Sequence, residues 1–316
     1  MTIDRRTFVR LSGLAAPAFA SAEVAGQECI TPEIPRGDDR DVTDTLNSAL
    51  ARSSEVWLPS GIYRVDGTVV VPKHTQLTMA HGAILQRFAK HTDNRGAVVA
   101  LLGNRAYCSG GRIITQNDHP QGIVTLGHAD ASLEIRYNAT NWYFANCAIE
   151  GRQSPGNIGL WVPSSQVAHR STDFANYFGY VQNVSIQGAD IGVLLDEVAN
   201  AHRFFGILFS RLISTAWELR GAYGNQVFGG FLHKSRDGVV GIRLRNASND
   251  QYHDSIYNSF LGFGIEPGGK KSTAYRIDSR CRMNTLILQS NVATKGIDEN
   301  GNNFISRHGG SWPRGA

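Results

Sequence analysis

Six segments of the chain can be laid over one another: Gly159–Pro163, Gly192–Asp196, Ala216–Arg220, Gly241–Arg245, Ala274–Asp278 and Gly296–Asn300. Their start-to-start spacings are 33, 24, 25, 33 and 22 residues. Each opens on a small residue and carries apolar residues at its second and usually its fourth position. Period-2 alternation inside a repeat of that length means one strand per coil, each stacked on its copy in the next coil about 4.8 Å away. An Asn follows most segments (Asn200, Asn225, Asn249, Asn284, Asn303), which suits a ladder of side-chain amides along the stack. A β-propeller needs longer, four-stranded blades, and a β-sandwich does not repeat in this way. The expected fold is all-β, a parallel β-helix. Its two long spacings imply inserted loops at Gln166 to Tyr177 and at Glu266 to Lys271, the kind of one-sided insertion that builds a binding face.

The front of the chain carries different signals. Asp41 to Leu50 has a capping Asp and apolar residues at helical spacing, so a short helix is expected there. Short strands follow at Val56 to Val65, Thr68 to Val71, Gln76 to Met79 and Ala83 to Leu85, broken by Gly, Pro and His. With 34 Gly and only 18% charged residues, the composition fits many tight turns. The helix followed by Val56–Val65 and Gly82–Gln86 resembles the start of the pectate-lyase-like superfamily. Its members include polygalacturonase-type hydrolases and phage tailspikes. That resemblance implies a right-handed parallel β-helix whose N-terminal helix caps the open end, with the Pro59-x-Gly61-x-Tyr63 segment beginning the first coil. Residues 41–316 are then one domain, and 23–40 a linker.

Ahead of the linker, Arg5 and Arg6 stand in Asp4–Arg10, which resembles the twin-arginine export motif. A mildly apolar stretch follows (Leu11 to Ala20), then small-residue cleavage sites at Ala18 to Ala22. The resemblance implies a signal over residues 1–22 and export, in folded form, to the periplasm or the exterior. This segment contributes +2 of the formal +4 charge (Arg5, Arg6 and Arg10 against Asp4), leaving +2 for the remainder. There is no Lys/Arg block with interleaved aromatics, so nucleic acid is not an expected partner, and no apolar run is long enough to span a membrane. Cys29, Cys108, Cys147 and Cys281 lack metal-ligand spacing and read as buried thiols, with the pairing of any oxidised couple left open.

The aligned strands also sort their side chains. Val193, Leu195, Trp217, Leu219, Ile242, Leu244, Tyr275 and Ile277 share one parity and must point into the coil. The other parity then faces outward: Trp161, Pro163, Leu194, Asp196, Glu218, Arg220, Arg243, Arg245, Arg276, Asp278, Asp298 and Asn300. Asp196 and Glu218, one coil apart and offset by two residues, have Cα atoms roughly 8 Å apart, a spacing that suits an inverting pair of carboxyls. In that reading Arg220, Arg243, Arg245, Arg276 and Asp278 hold an acidic substrate, Trp161 stacks on a sugar ring, and His233 lies on a second sheet. The main expectation is an exported glycoside hydrolase acting on a polysaccharide or oligosaccharide.

The alternatives are a polysaccharide lyase on an acidic glycan, with Arg or His233 as base, and a non-catalytic saccharide-binding or structural β-helix protein. An epimerase or transferase on the same scaffold is a third class. In the non-catalytic case Asp196 over Arg220 and Glu218 over Arg243 form a ladder of ion pairs, or the contact face of a homotrimer as in tailspikes. The closely spaced Asp pair of polygalacturonases and the Arg-x-Pro-x-x-Arg stretch of pectate lyases are absent, so pectin is not implied. No metal or organic cofactor is expected. Calcium, used by some lyases of this superfamily, needs clustered carboxylates that the sequence does not place.

Overall fold

The structure, a computed structural model, describes residues 30–88, 96–119, 122–127, 139–163, 176–196, 199–233, 235–247, 254–266, 271–290 and 295–308. The segment expected to be an export signal, Cys29, Asn249 and most of the 166–177 loop lie outside these residues. Among the described residues the strands form sheets of eighteen, nine and three strands, and every paired strand is parallel to its partner. The chain is a right-handed parallel β-helix, the hand that twisted strands favour in parallel crossovers.

One coil shows the plan. Ile191–Leu195 belongs to the nine-stranded face and Ala199–Asn200 to the three-stranded one. Arg203–Phe205 and Leu208–Ser210 belong to two columns of the eighteen-stranded sheet, and Thr215–Arg220 starts the next coil on the nine-stranded face. The helix, Thr43–Arg52, buries Leu46, Ala49 and Leu50 against the first coils and so caps the N-terminal end of the core. Asp41 accepts from the Thr43 N–H at 3.0 Å, but it ends the strand Gly37–Asp41 and Val42 takes the N-cap position. That strand begins inside the expected linker, 23–40, and pairs with Gly61–Arg64.

The corner before the first column of the eighteen-stranded sheet repeats with little variation. His74, Arg105, Asn141, Phe178, Ala201, Gly224, Tyr257 and Met283 all have φ between 54° and 66°. Left-handed backbone costs an L-residue about 1–2 kcal/mol, and here it turns the chain sharply enough that the next residue points into the core. That next residue is Asn225, Asn258 and Asn284 in three successive coils. Asn225 donates to Asn258 Oδ1 at 3.0 Å, Asn258 to Asn284 Oδ1 at 3.1 Å, and Asn284 to Asn303 Oδ1 at 2.9 Å. Each amide oxygen also accepts the backbone N–H of the coil before it. The expected ladder therefore exists, with Asn258 as the rung where Asn249 was expected. Asn200 lies instead on the three-stranded sheet.

Toward the N-terminus His202 takes the next rung, its N–H donating to Asn225 Oδ1 at 3.0 Å. Its ring stacks on Trp142 with centroids 5.0 Å apart. Between them is Gly179, where a Cβ would stand 2.0 Å from the Trp142 ring. His202 Nδ1 accepts from the Gly179 N–H at 2.9 Å, so Nε2 carries the proton, buried and without a partner among the described residues. Farther along the coil, Trp217 anchors the core by edge-on contacts with Phe204, Phe209 and Phe260 at 5.1, 5.4 and 5.7 Å. The small residues that open the repeats make room for such side chains, since a Cβ on Gly192 would meet the Phe209 ring at 2.5 Å.

Cys108, Cys147 and Cys281 are buried free thiols, and burial pushes Cys281 up to about 12. Burial likewise holds the His202 pKa down to about 3. An unfolded His takes up a proton below about pH 6.5, so acid favours the unfolded chain. The stability contributed by neutral His202 is complete above that pH. It is lost as pH falls toward 3, by up to about 1.4 kcal/mol per pH unit. His202→Asn keeps an acceptor for Gly179 without the titrating ring. Urea unfolding from pH 6 to 4 is expected to show a shallower loss of stability in this variant than in the wild type. Equal slopes would contradict the assigned burial.

Candidate functional site

The parity read from the sequence holds on the nine-stranded face. Val193, Leu195, Trp217, Leu219, Ile242, Leu244, Tyr275 and Ile277 are all buried in the core. Facing outward, Trp161, Leu194, Glu218, Arg243 and Arg276 form one row across five coils by direct strand register. A second outward row contains Asp196, which follows Leu195, then Arg220 and Arg245, which are direct register partners. In the last coil the register slips by one between Thr273 and Tyr275. Ile297, and not Asp298, therefore continues the outward row. Asp298 instead caps the following turn, accepting from Asn300, Gly301 and Asn303.

Outward does not mean solvated at the middle of this face. Leu194 is 1% exposed and packs with Ile158, Ile191 and Trp161, while Glu218 is 2% exposed. Two guanidinium groups satisfy Glu218: Arg220 Nε donates to its Oε1 at 2.7 Å and Arg245 Nη1 to the same oxygen at 3.2 Å. Arg220 also reaches Asp196 at 3.8 Å, and Asp196 accepts from the Trp161 indole N–H at 2.7 Å. Five of the expected site residues thus form one chain, Trp161–Asp196–Arg220–Glu218–Arg245. Glu218 pairs with Arg245 where Arg243 was expected, because Arg220 and Arg245 share a row and close on the carboxylate from the same side.

The other candidates are placed differently. Arg243 Nε is buried without a hydrogen-bond partner among the described residues. Arg276 is exposed and reaches Glu299 at 3.9 Å, and Asp278 makes no ion pair among the described residues. His233 follows the strand Phe231–Leu232 of the eighteen-stranded sheet and pairs with Glu266 at 2.8 Å, away from the arginine rows. Among the described residues no group of three or more His, Cys, Asp or Glu could hold a metal ion.

This geometry orders charge more than it frees it. An acid–base pair on a glycosidic bond needs one carboxyl beside the leaving oxygen and one beside a water. Here the Arg220 side chain fills the interval between Asp196 and Glu218. Removing one partner of a buried pair leaves the other charge uncompensated. Glu218→Gln, however, leaves Arg220 and Arg245, 37% and 40% exposed, for water to screen. It is expected to destabilise by about 1–3 kcal/mol through the weakened hydrogen bonds of a buried group, while Asp196→Asn, nearer the surface, costs about 1 kcal/mol or less. Urea denaturation of both variants checks the order, and equal losses would mean that Glu218 is not the buried centre of the network.

No family model matches the chain, and no curated protein matches it. Among solved structures it is similar to the Streptococcus pneumoniae surface protein and adhesin PfbA, at 11% identity and a TM-score of 0.45, covering 87% of this chain and 86% of that one. A crystal structure of PfbA, described as a surface adhesin of Streptococcus pneumoniae, matches at 8% identity and a TM-score of 0.36, covering 89% of this chain and 91% of that one.

Proposed function

We propose that this protein is an exported, non-catalytic saccharide-binding β-helix that holds an acidic glycan on its nine-stranded face. The observation that carries this reading is the Arg220 guanidinium bound to Glu218 and reaching Asp196, which engages both carboxylates that a hydrolase would need free. Those carboxylates set the arginines at fixed positions, and a guanidinium fork so held meets a carboxylate in a planar, paired geometry. Arg243 and Arg276, adjacent in register, supply charge on the C-terminal side of the network. Trp161, half-buried on the N-terminal side, offers a ring face to a sugar. The Arg5-Arg6 motif supports an extracytoplasmic location, and the reading requires no cofactor.

A polysaccharide panel tests it with three readouts on the purified protein: binding, reducing-end release and absorbance of unsaturated uronates. The expected result is salt-sensitive binding of an acidic glycan, weakened by R243A/R276A, with neither chemical product formed. Reducing ends that disappear in both Asp196→Asn and Glu218→Gln would restore the hydrolase reading. Unsaturated product would point to a lyase.

A further inference from the structure

A second polar site lies on a different face, at the end of the second column of the eighteen-stranded sheet. A cleft of about 410 Å³ runs there along the helix axis across four coils, lined by Ile114, Gln116, Glu150, Arg152, Gln187 and Arg211. Its floor is a single register row, Ile114–Glu150–Gln187, and its wall is the turn that follows those strands. The turn is bare of side chains at Gly151 and Gly188, which approach so closely that a Cβ on Gly188 would stand 2.2 Å from the Gly151 carbonyl oxygen.

The charges in the cleft are unequal. Arg112 binds Glu150 through Nε at 2.8 Å, so the one carboxylate is already neutralised. Gln116, Arg152, Gln187 and Arg211 have no side-chain partner among the described residues, leaving two amides and two guanidiniums directed at solvent. Arg211 is held in the left-handed region at φ 55°, and Gln153 donates to its carbonyl at 2.9 Å, which fixes the turn that carries it.

We propose that this cleft binds an acidic oligosaccharide whose carboxylates recur on alternate sugar units. Arg152 and Arg211 follow strands two coils apart, a separation of about 10 Å along the axis. Carboxylates on alternate units of an extended chain lie at a comparable interval. Gln116 and Gln187 offer both a donor and an acceptor to the hydroxyls between them. The cleft has no aromatic anchor, which disfavours an apolar ligand. It is separate from the arginine rows of the nine-stranded face, and either site can fail without the other.

Calorimetric titration with hyaluronan hexasaccharide, and with cellohexaose as the uncharged control, tests the assignment on the wild type, R152A/R211A and R243A/R276A. Circular dichroism checks that each variant is folded. The expected result is hyaluronan binding that weakens at least about tenfold in R152A/R211A, loses only the smaller share of the nine-stranded face in R243A/R276A, and has no counterpart with cellohexaose. Wild-type indifference to hyaluronan, equal affinity in R152A/R211A, or equally tight cellohexaose binding would overturn the cleft. Loss confined to R243A/R276A would overturn it while supporting the other face.

Discussion

A single left-handed residue at one corner of each coil, followed by a side chain turned into the core, is the constraint on which the other faces depend. Seven of the eight such corners use a residue other than Gly, so each carries a conformational cost that an isolated coil could not offset. Stacking supplies the compensation. Seven of the eight corner residues donate their backbone N–H to a carbonyl of the next coil, and from His202 onward the amide rungs tie the corners together as well. Because the corners superimpose, the strands leaving them superimpose too. The outward rows of the nine-stranded face follow from that alignment.

Those rows show how a repetitive scaffold specifies a particular surface. A row position is occupied once per coil, so Trp161, Leu194, Glu218, Arg243 and Arg276 are neighbours although they span more than a hundred residues of chain. Burial of Leu194 and Glu218 takes the centre of the face out of solvent, and the arginines around it answer the buried charge. Exposed ion pairs contribute little individually, whereas a buried carboxylate with two guanidinium donors gives each donor a fixed position.

Much of this could be read from alternation and spacing. Inward and outward sets follow from strand parity alone, and parity survives any uncertainty in loop length. The rest depends on contacts that spacing does not encode. Burial of Glu218 requires knowing that Leu194 and Trp161 crowd the same patch. Asn249 was the expected rung because it lies at the usual distance after Gly241–Arg245, but the long connection in that coil delays the corner to Tyr257 and the rung to Asn258. The strands Val69–Val71, Val99–Leu101 and Val124–Leu126 extend the same face toward the N-terminus. They are three residues long, too short for a repeat to stand out. The cleft beside Arg211 left no motif, since its polar residues come from four separate coils.

The change of rung at His202 divides the molecule along its length. In a solenoid each coil touches only its neighbours, so cooperativity is transmitted one interface at a time. Interfaces after His202 carry strand pairing, apolar stacking and a continuous amide chain. Those before Trp142 have Thr75 and Ala106 at the same position and lack the amides. The C-terminal coils therefore form the more strongly coupled foldon, and amide protons of the N-terminal coils exchange through openings that the later coils do not share.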